Sequence, residues 1–160
     1  MWMKHMTNYI MQANKSISAG DSAEQREAEE YLINSFSEEL KTKLEKRRFS
    51  IHDRGWLEID GVSDSPLILC EAWAHIGLAK SAQKHKVLTD ATKLLFTKEF
   101  LIKNKSRCIL LFCDMQAASH FKGYSWMAQY LKSKEIEIKV IVLPKHIRDK
   151  VVNAQKRQHR

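Results

Sequence analysis

Apolar residues recur along the chain with two different periods, and these periods predict its helices and strands. Between about residues 22 and 46, Leu32, Phe36 and Leu40 follow each other at four-residue spacing, which is typical of one face of a helix. Residues 47–62 predict two strands joined by a turn at 53–55, and the apolar run within 66–76 predicts a third strand. The first half of the chain is therefore predicted to be one helix followed by three strands.

The second half alternates between long amphipathic segments and short apolar ones. Helices are predicted over about 78–103, over 116–135 with a break at Gly123, and over 145–160, and strands over 106–115 and 136–144. Because helical crossovers join the later strands, these should be parallel, whereas the opening hairpin should be antiparallel. The pattern predicts an α/β fold with a mixed sheet flanked by helices on both faces. We expect residues 1–20 to form a flexible N-terminal arm, residues 21–144 the domain, and residues 145–160 a basic C-terminal helix.

The charge of the chain suggests the chemical class of its partner. The 160 residues carry a formal net charge of +8, with a pI of about 9.4. A basic balance favours an acidic partner, most often nucleic acid, although many basic proteins bind none. There is no apolar run of membrane-spanning length, and residues 1–20 lack the apolar core of a signal peptide. Three cysteines without a C-x-x-C pair favour a reducing compartment, so we expect a cytoplasmic protein that does not contact a membrane.

Two carboxylates on neighbouring predicted strands are the first candidates for chemistry. Asp60 is predicted to end the second strand, and Glu71 lies inside the apolar run of the third. A short connection between these strands brings the two side chains close together, where like charges repel unless a cation lies between them. Oxygen ligands of this kind suit Mg²⁺, or Mn²⁺ in its place. The alternative is structural, since Asp60–Gly61 is also a favoured hairpin turn and Glu71 can be an isolated buried acid.

Two further acids have both a structural and a functional interpretation. Glu29 falls within the apolar stripe of the first helix, so it either lies at the edge of the core with its carboxylate in water or points into a site. Asp114 ends a buried strand and precedes a helix, a position that suits a helix cap. It also suits the functional acid of a different doubly wound α/β domain, which would require Asp60 and Glu71 to be apart.

The order helix, hairpin ending in "EIDG", strand carrying "CEAW", helix, strand resembles the core of the PD-(D/E)XK, or restriction-endonuclease-like, nucleases. This resemblance covers residues 22–115. The segments "EIDGV", "EAWAHIGLAKSAQKHKVLTDATKL", "LLFCDMQAASHFKGYSWMAQYL" and "AQKRQ" also resemble a group of small bacterial proteins with this fold. The resemblance implies an αβββαβ core, here extended by a C-terminal αβα. It also implies that Asp60 and Glu71 hold a metal with help from the carbonyl of Ala72, and that Glu29 joins the site.

The sequence departs from this family at position 73, where the E-x-K motif has lysine and this chain has Trp73. Some members are similar in having the lysine supplied by the following helix. We therefore expect Lys80 or Lys84 to face the carboxylates, with Gln83 on the same helix face as a polar helper. Each of these lysines alone can instead be a solvated surface residue. Candidate nucleic-acid contacts are Lys86, Lys93, Trp73, Lys156 and Arg157.

These expectations support two functions of different classes. The first is a Mg²⁺-dependent nuclease that hydrolyses phosphodiester bonds, most directly in DNA, acting alone, as a homodimer or with a larger protein partner. The second is a catalytically degenerate relative that binds nucleic acid or scaffolds a defence or mobile-element complex. The two differ in whether a lysine amine from the helix after Glu71 reaches the pair formed by Asp60 and Glu71.

Overall fold

A five-stranded sheet organises the part of the chain that the computed structural model describes, residues 22–53 and 55–159. In chain order the elements are α1 (Ala23–Leu40), β1 (Glu45–Ile51), β2 (Gly55–Asp64), β3 (Leu67–Trp73), α2 (Ser81–Phe96) with a π-helical extension (Thr97–Ile102), β4 (Arg107–Phe112), α3 (Met115–Lys122), α4 (Trp126–Ser133), β5 (Ile136–Val140) and α5 (Lys145–Gln158). The predicted N-terminal arm lies outside the described residues.

The strands lie in chain order, β1-β2-β3-β4-β5. The β1–β2 and β2–β3 pairs are antiparallel, and the β3–β4 and β4–β5 pairs are parallel. One buried cluster joins α2, α3 and α4 to one face of the sheet, and a second joins α1 and α5 to the other face. The predicted α/β class is therefore confirmed, as is the αβββαβ core with its C-terminal extension, in which the predicted break at Gly123 separates α3 from α4.

The first helix is shorter than its apolar stripe suggests. Ser22 caps its N-terminus in a capping box with Gln25. The helix ends at Leu40 instead of near residue 46, because Lys41 takes a left-handed conformation with a φ of 52° and its N–H closes the last turn. This early end lets β1 begin at Glu45.

The second strand does not end at Asp60, so the expected strand end and hairpin turn at Asp60–Gly61 are wrong. The strand continues to Asp64, and Gly61 pairs with Cys70 of β3. Arg47 of β1 faces Ile59 of β2, and Glu45 faces Val62. Lys46 alone therefore opposes two residues of β2, Asp60 and Gly61. This is a β-bulge, a feature that re-aims side chains next to functional sites, and Asp60 lies in it.

Gly61 is required by packing rather than by a turn. A Cβ atom at this position would lie 2.9 Å from Cδ1 of Ile33 and 3.3 Å from Cβ of Leu44. The bare backbone of Gly61 therefore lets α1 and the segment that follows it approach β2 closely. This contact brings the helix that carries Glu29 next to the bulge that carries Asp60.

The basic C-terminal helix is confirmed and packs on α1. Lys150 pairs with Glu27 at 3.1 Å and Arg157 with Glu24 at 2.6 Å, while Val151 is buried between the two helices and the sheet. Cys108 and Cys113 belong to opposite core clusters, as their odd spacing predicts. Among the described helices, none is long and apolar enough to cross a membrane.

Candidate functional site

Asp60 and Glu71 meet where β2 and β3 separate. The regular pairing of the two strands stops at Gly61 and Cys70. Beyond this point the N–H of Asp60 donates to Oε1 of Glu71 at 3.2 Å, and the N–H of Ala72 donates to Oδ2 of Asp60 at 3.0 Å. Each carboxylate thus replaces a strand–strand hydrogen bond, and the two side chains are held side by side. The structure confirms the proximity that the short β2–β3 connection predicts.

Glu71 is deeply buried for a carboxylate, with 4% of its surface exposed. Burial and the neighbouring Asp60 raise the pKa of Glu71 to about 9, and they do so against the opposing effect of Lys93. The face of β3 that carries Glu71 also carries the core residues Leu69 and Trp73, as strand alternation predicts. Even beside Lys93, a carboxyl group in such a place favours its neutral form unless a further cation approaches it.

Lys93 is the lysine that reaches this pair. Its Nζ lies 2.9 Å from Oε2 of Glu71, and 28% of its side chain is exposed. Lys86 lies two turns earlier on the same face of α2, and its Nζ lies 2.9 Å from Oδ2 of Asp90. The charge of Asp90 acts on Glu71 and on Glu29, which places it within the same cluster.

Asp90 is a member of this cluster that the sequence expectations missed. Its side chain is only 12% exposed. It lies within the buried stripe of α2 formed by Val87, Ala91 and Leu94. The spacing of this stripe in the sequence could have identified Asp90, because an aspartate at a helix position that faces the core requires a partner.

Glu29 approaches the pair from α1. Its Oε1 accepts the N–H of Ala74 at 3.4 Å. Burial and then Asp60 raise its pKa to about 7. A cavity of about 360 Å³ opens here, lined by Arg26, Glu29, Glu30, Ile33, Lys46 and Asp60. Glu29 therefore faces the carboxylates, in agreement with the second of its two interpretations.

The charge of the cluster depends on the protonation of its acids. When all four are ionised, Glu29, Asp60, Glu71 and Asp90 contribute four negative charges, and Lys86 and Lys93 contribute two positive ones. Protonation of Glu29 and Glu71, which their raised pKa values favour, brings the metal-free cluster to zero net charge, and a divalent cation would offset the two charges that remain when both are ionised. The described residues contain no group of three or more His, Cys, Asp and Glu side chains arranged to hold a metal ion. Oxygen donors near this point are the two adjacent carboxylates of Asp60 and Glu71, and Mg²⁺ is an ion that accepts few protein ligands and keeps several waters.

The lysines expected from sequence lie elsewhere. Lys80 is the exposed N-cap residue of α2, and its N–H donates to Oε1 of Gln83 at 2.7 Å. Lys84 acts on His120 of α3 instead, since burial and then the charge of Lys84 lower the pKa of that histidine. Within the described part of the chain, neither lysine forms a hydrogen bond or an ion pair with Asp60 or Glu71. Gln83 does not approach the carboxylates as a helper either, since its Nε2 lies 3.4 Å from Nδ1 of His75.

The geometry of the crossover explains this difference. Helix α2 returns antiparallel to β3, and a helix advances about 1.5 Å per residue against about 3.3 Å for a strand. Residues 74–80 also separate the end of β3 from the start of α2, so a helix residue level with Glu71 lies beyond the first turn of α2, not at its start. Lys93 meets this condition and Lys80 does not.

The expected nucleic-acid contacts have different environments. Trp73 is only 7% exposed, stacks on His75 at 4.8 Å between ring centroids and meets Phe112 edge-on, so it has no face available for a base. This overturns the nucleic-acid role expected for Trp73, whose ring packs in the core instead. Lys156 is exposed on α5, and its neighbour Arg157 pairs with α1.

Asp114 is a structural cap. Its carboxylate accepts the N–H of Ala117 at 3.3 Å at the start of α3 and the N–H of Gly77 at 2.8 Å, and Arg148 lies 3.5 Å away. Asp114 thereby ties the loop before α2 to α3 and α5. The alternative doubly wound domain requires Asp60 and Glu71 to be apart, and they are adjacent.

Comparison with known proteins adds one distant similarity. No protein-family model matches the chain, and no curated protein matches it. A solved structure of a repair endonuclease from Pyrococcus abyssi is similar at 18% sequence identity and a TM-score of 0.40, over 78% of this chain and 50% of that one. The chain thus spans half the length of that protein, and a similarity of this size carries no functional argument.

Proposed function

We propose that this chain is a metal-dependent nuclease that hydrolyses phosphodiester bonds, most directly in DNA, through a variant of the PD-(D/E)XK site. The observation that supports this proposal is the contact between Lys93 and Glu71 beside Asp60. Here the amine comes from the helix that follows the glutamate, so the charge that Trp73 does not provide is supplied from α2.

The residues that would hold the metal are Asp60, Glu71 and the carbonyl of Ala72. Support for this assignment comes from the raised pKa values of Glu29 and Glu71, since both arise from buried, mutually repelling carboxyl groups. When bound, the ion would supply an acidified water and a positive charge opposite the phosphodiester.

The remaining residues have roles that follow from their positions. The Lys93 amine is placed to orient or polarise the attacking water. Glu29, with a pKa of about 7, is matched to accepting a proton near neutral pH, which is the requirement for a general base. Arg26 and Lys46 line the cavity and add positive charge where substrate phosphates would enter. Most of the binding energy would come from phosphate contacts, so affinity should fall steeply with salt.

The test is a cleavage assay on single- and double-stranded DNA and RNA with Mg²⁺ or Mn²⁺. We expect Asp60→Asn and Lys93→Met to lose activity by about 100-fold or more, in line with the loss of a transition-state electrostatic contact. Lys84→Met is the matched comparison on the same helix and should keep its activity. If Lys84→Met loses activity and Lys93→Met does not, the lysine is assigned incorrectly. Absence of cleavage on every substrate, or equal cleavage by wild type and Asp60→Asn, refutes the nuclease itself.

The second candidate is a nucleic-acid-binding or scaffolding subunit with the same fold. One observation favours it: both oxygens of Glu71 already have partners, the Asp60 N–H and the Lys93 amine. Such a closed arrangement can be purely structural. In that case the protein would bind oligonucleotides, and neither Mg²⁺ nor Mn²⁺ would raise its melting temperature.

A further inference from the structure

The connection between α3 and α4 exposes two aromatic side chains beside a helix pair whose inner face is buried. Phe121, Met127 and Leu131 of these helices are 7% exposed or less. In contrast, Tyr124 is 99% exposed and Trp126 is 67% exposed. Leaving two large rings in water requires an explanation, because the core beside them is already filled by their neighbours.

The turn that carries these rings is well fixed. The hydroxyl of Ser125 donates to the carbonyl of His120 at 2.6 Å and accepts the N–H of Ala128 at 3.0 Å. Ser125 is thereby the N-cap of α4. Nε2 of Gln129 approaches the carbonyl of Gly123 at 3.4 Å. A turn held in this way keeps the backbone of the aromatic residues in place before a partner arrives, which lowers the entropy cost of binding.

The surroundings of the two rings are basic. Residues 115–134 contain no aspartate or glutamate, and they contain Lys122, Lys132 and Lys134, all of which are exposed. Exposed aromatic rings among lysines are the arrangement that proteins use to hold single-stranded nucleic acid by base stacking and phosphate contacts.

A groove of about 670 Å³ runs between the hairpin and the edge strand β5. Its floor is apolar, and its lining also includes two acids, Glu135 and Glu137. Glu137 is held by Arg107 through two contacts at 2.7 and 2.9 Å, which offsets its charge. Beside the rings the exposed side chains are Lys122 and Gln129, and it is this basic and polar character that favours nucleic acid over a protein partner.

We infer that the α3–α4 hairpin is a docking surface for single-stranded nucleic acid, with unpaired bases stacked on Tyr124 and Trp126 and phosphates held by the surrounding lysines. The surface lies on the α2 side of the sheet, beyond the helix that carries Lys93. It would hold an unpaired strand whether or not the proposed nuclease site is active. Base pairing in a duplex covers the faces of the bases, so the surface discriminates against double-stranded ligands.

The test measures the binding of labelled 20-nucleotide thymidine and uridine oligomers, and of a DNA duplex, by fluorescence anisotropy in EDTA. EDTA suppresses metal-dependent cleavage, so the result is independent of the nuclease assay. Removing one stacked ring should weaken single-strand binding by about tenfold, as base–aromatic stacking does elsewhere. We therefore expect the double variant Tyr124→Ala/Trp126→Ala to lose about 100-fold, with duplex binding changed by less than about threefold. Tyr124→Phe/Trp126→Phe keeps the rings and should retain single-strand binding. Phe100→Ala, an exposed aromatic on the π-helical segment, is the matched control.

Each outcome supports or overturns the inference. A selective loss of single-strand binding for either oligomer supports it. An unchanged single-strand affinity in the alanine double variant overturns it, and so does an equal loss for single strands and duplex in a variant whose melting temperature is normal. A wild type that binds no single strand but self-associates through these rings would make the surface a protein interface instead.

Discussion

Replacing Glu29 with glutamine should change how the stability of the metal-free protein depends on pH. The carboxyl group of Glu29 is half-buried and lies close to Asp60. Its Oε1 accepts the N–H of Ala74, and the glutamine side chain keeps an oxygen for this contact. The substitution therefore removes the ionisation of the group and little else.

The sign and size of the effect follow from the pKa, which rises from 4.5 to about 7 on folding, through burial and then the charge of Asp60. Below pH 4.5 the group is protonated in both states, and its protonated form gives the folded protein its full stability. As the pH rises towards 7, the unfolded chain releases the proton first, so the folded state loses stability relative to it. The whole shift corresponds to about 3 kcal/mol, and solvent screening at a half-buried group reduces this to about 1–2 kcal/mol.

The assay is urea unfolding in EDTA at intervals from pH 4.5 to pH 8, with wild type, Glu29→Gln and Glu38→Gln. Glu38 is exposed on the same helix and is the matched control. Between the two ends of this range, Glu29→Gln should gain about 1–2 kcal/mol relative to wild type, and Glu38→Gln should stay parallel to wild type. If all three proteins respond to pH in parallel, the Glu29 carboxyl does not face buried acids, and its place in the site is refuted.

Three further perturbations test the same region. Gly61→Ala places a Cβ atom 2.9 Å from Cδ1 of Ile33 and should cost about 1–3 kcal/mol in urea unfolding, so an unchanged midpoint would contradict the close approach. Trp73→Ala removes a ring that stacks on His75 and should cost about 3–5 kcal/mol, whereas a loss confined to oligonucleotide affinity would mean that the ring contacts a ligand. Because burial and a neighbouring carboxylate raise the pKa of Glu71 to about 9, Mn²⁺ binding at pH 7 should release protons, which titration calorimetry in two buffers of different ionisation enthalpy detects. Metal binding without proton release would place the ion elsewhere.

The parts of the site that follow from strand geometry could be predicted from sequence. Alternation along β3 puts Glu71 on the side of Leu69, and a short connection brings Asp60 beside it. The bulge at Asp60 could not be predicted, because it depends on how β2 pairs with β1. The packing of α1 against Gly61 could not be predicted either, because a contact between distant elements leaves no local sequence signal. Asp60–Gly61 was therefore open to interpretation as a hairpin turn.

The lysine could not be placed from sequence because its position depends on how α2 packs on the sheet. Spacing along a helix shows which residues share a face, but not which face meets the strand or at what height. Lys86, Asp90 and Lys93 share one face of α2, and the buried stripe of Val87, Ala91 and Leu94 sets the rotation that turns it towards Glu71. Choosing the lysine nearest in sequence to the end of β3 leads to Lys80 instead.

Under the proposed function, supplying the amine from α2 instead of β3 would also explain why position 73 can be tryptophan. A lysine two residues after Glu71 on the same strand would share its side of the sheet. With the amine supplied by Lys93, that position is free to serve packing, and Trp73 fills it against His75 and Phe112. The exchange has a structural consequence. A strand lysine is fixed by the backbone it shares with the glutamate, whereas the distance from Lys93 to Glu71 depends on the helix–sheet interface. Substitutions in that interface should therefore affect the site even where they touch neither charge.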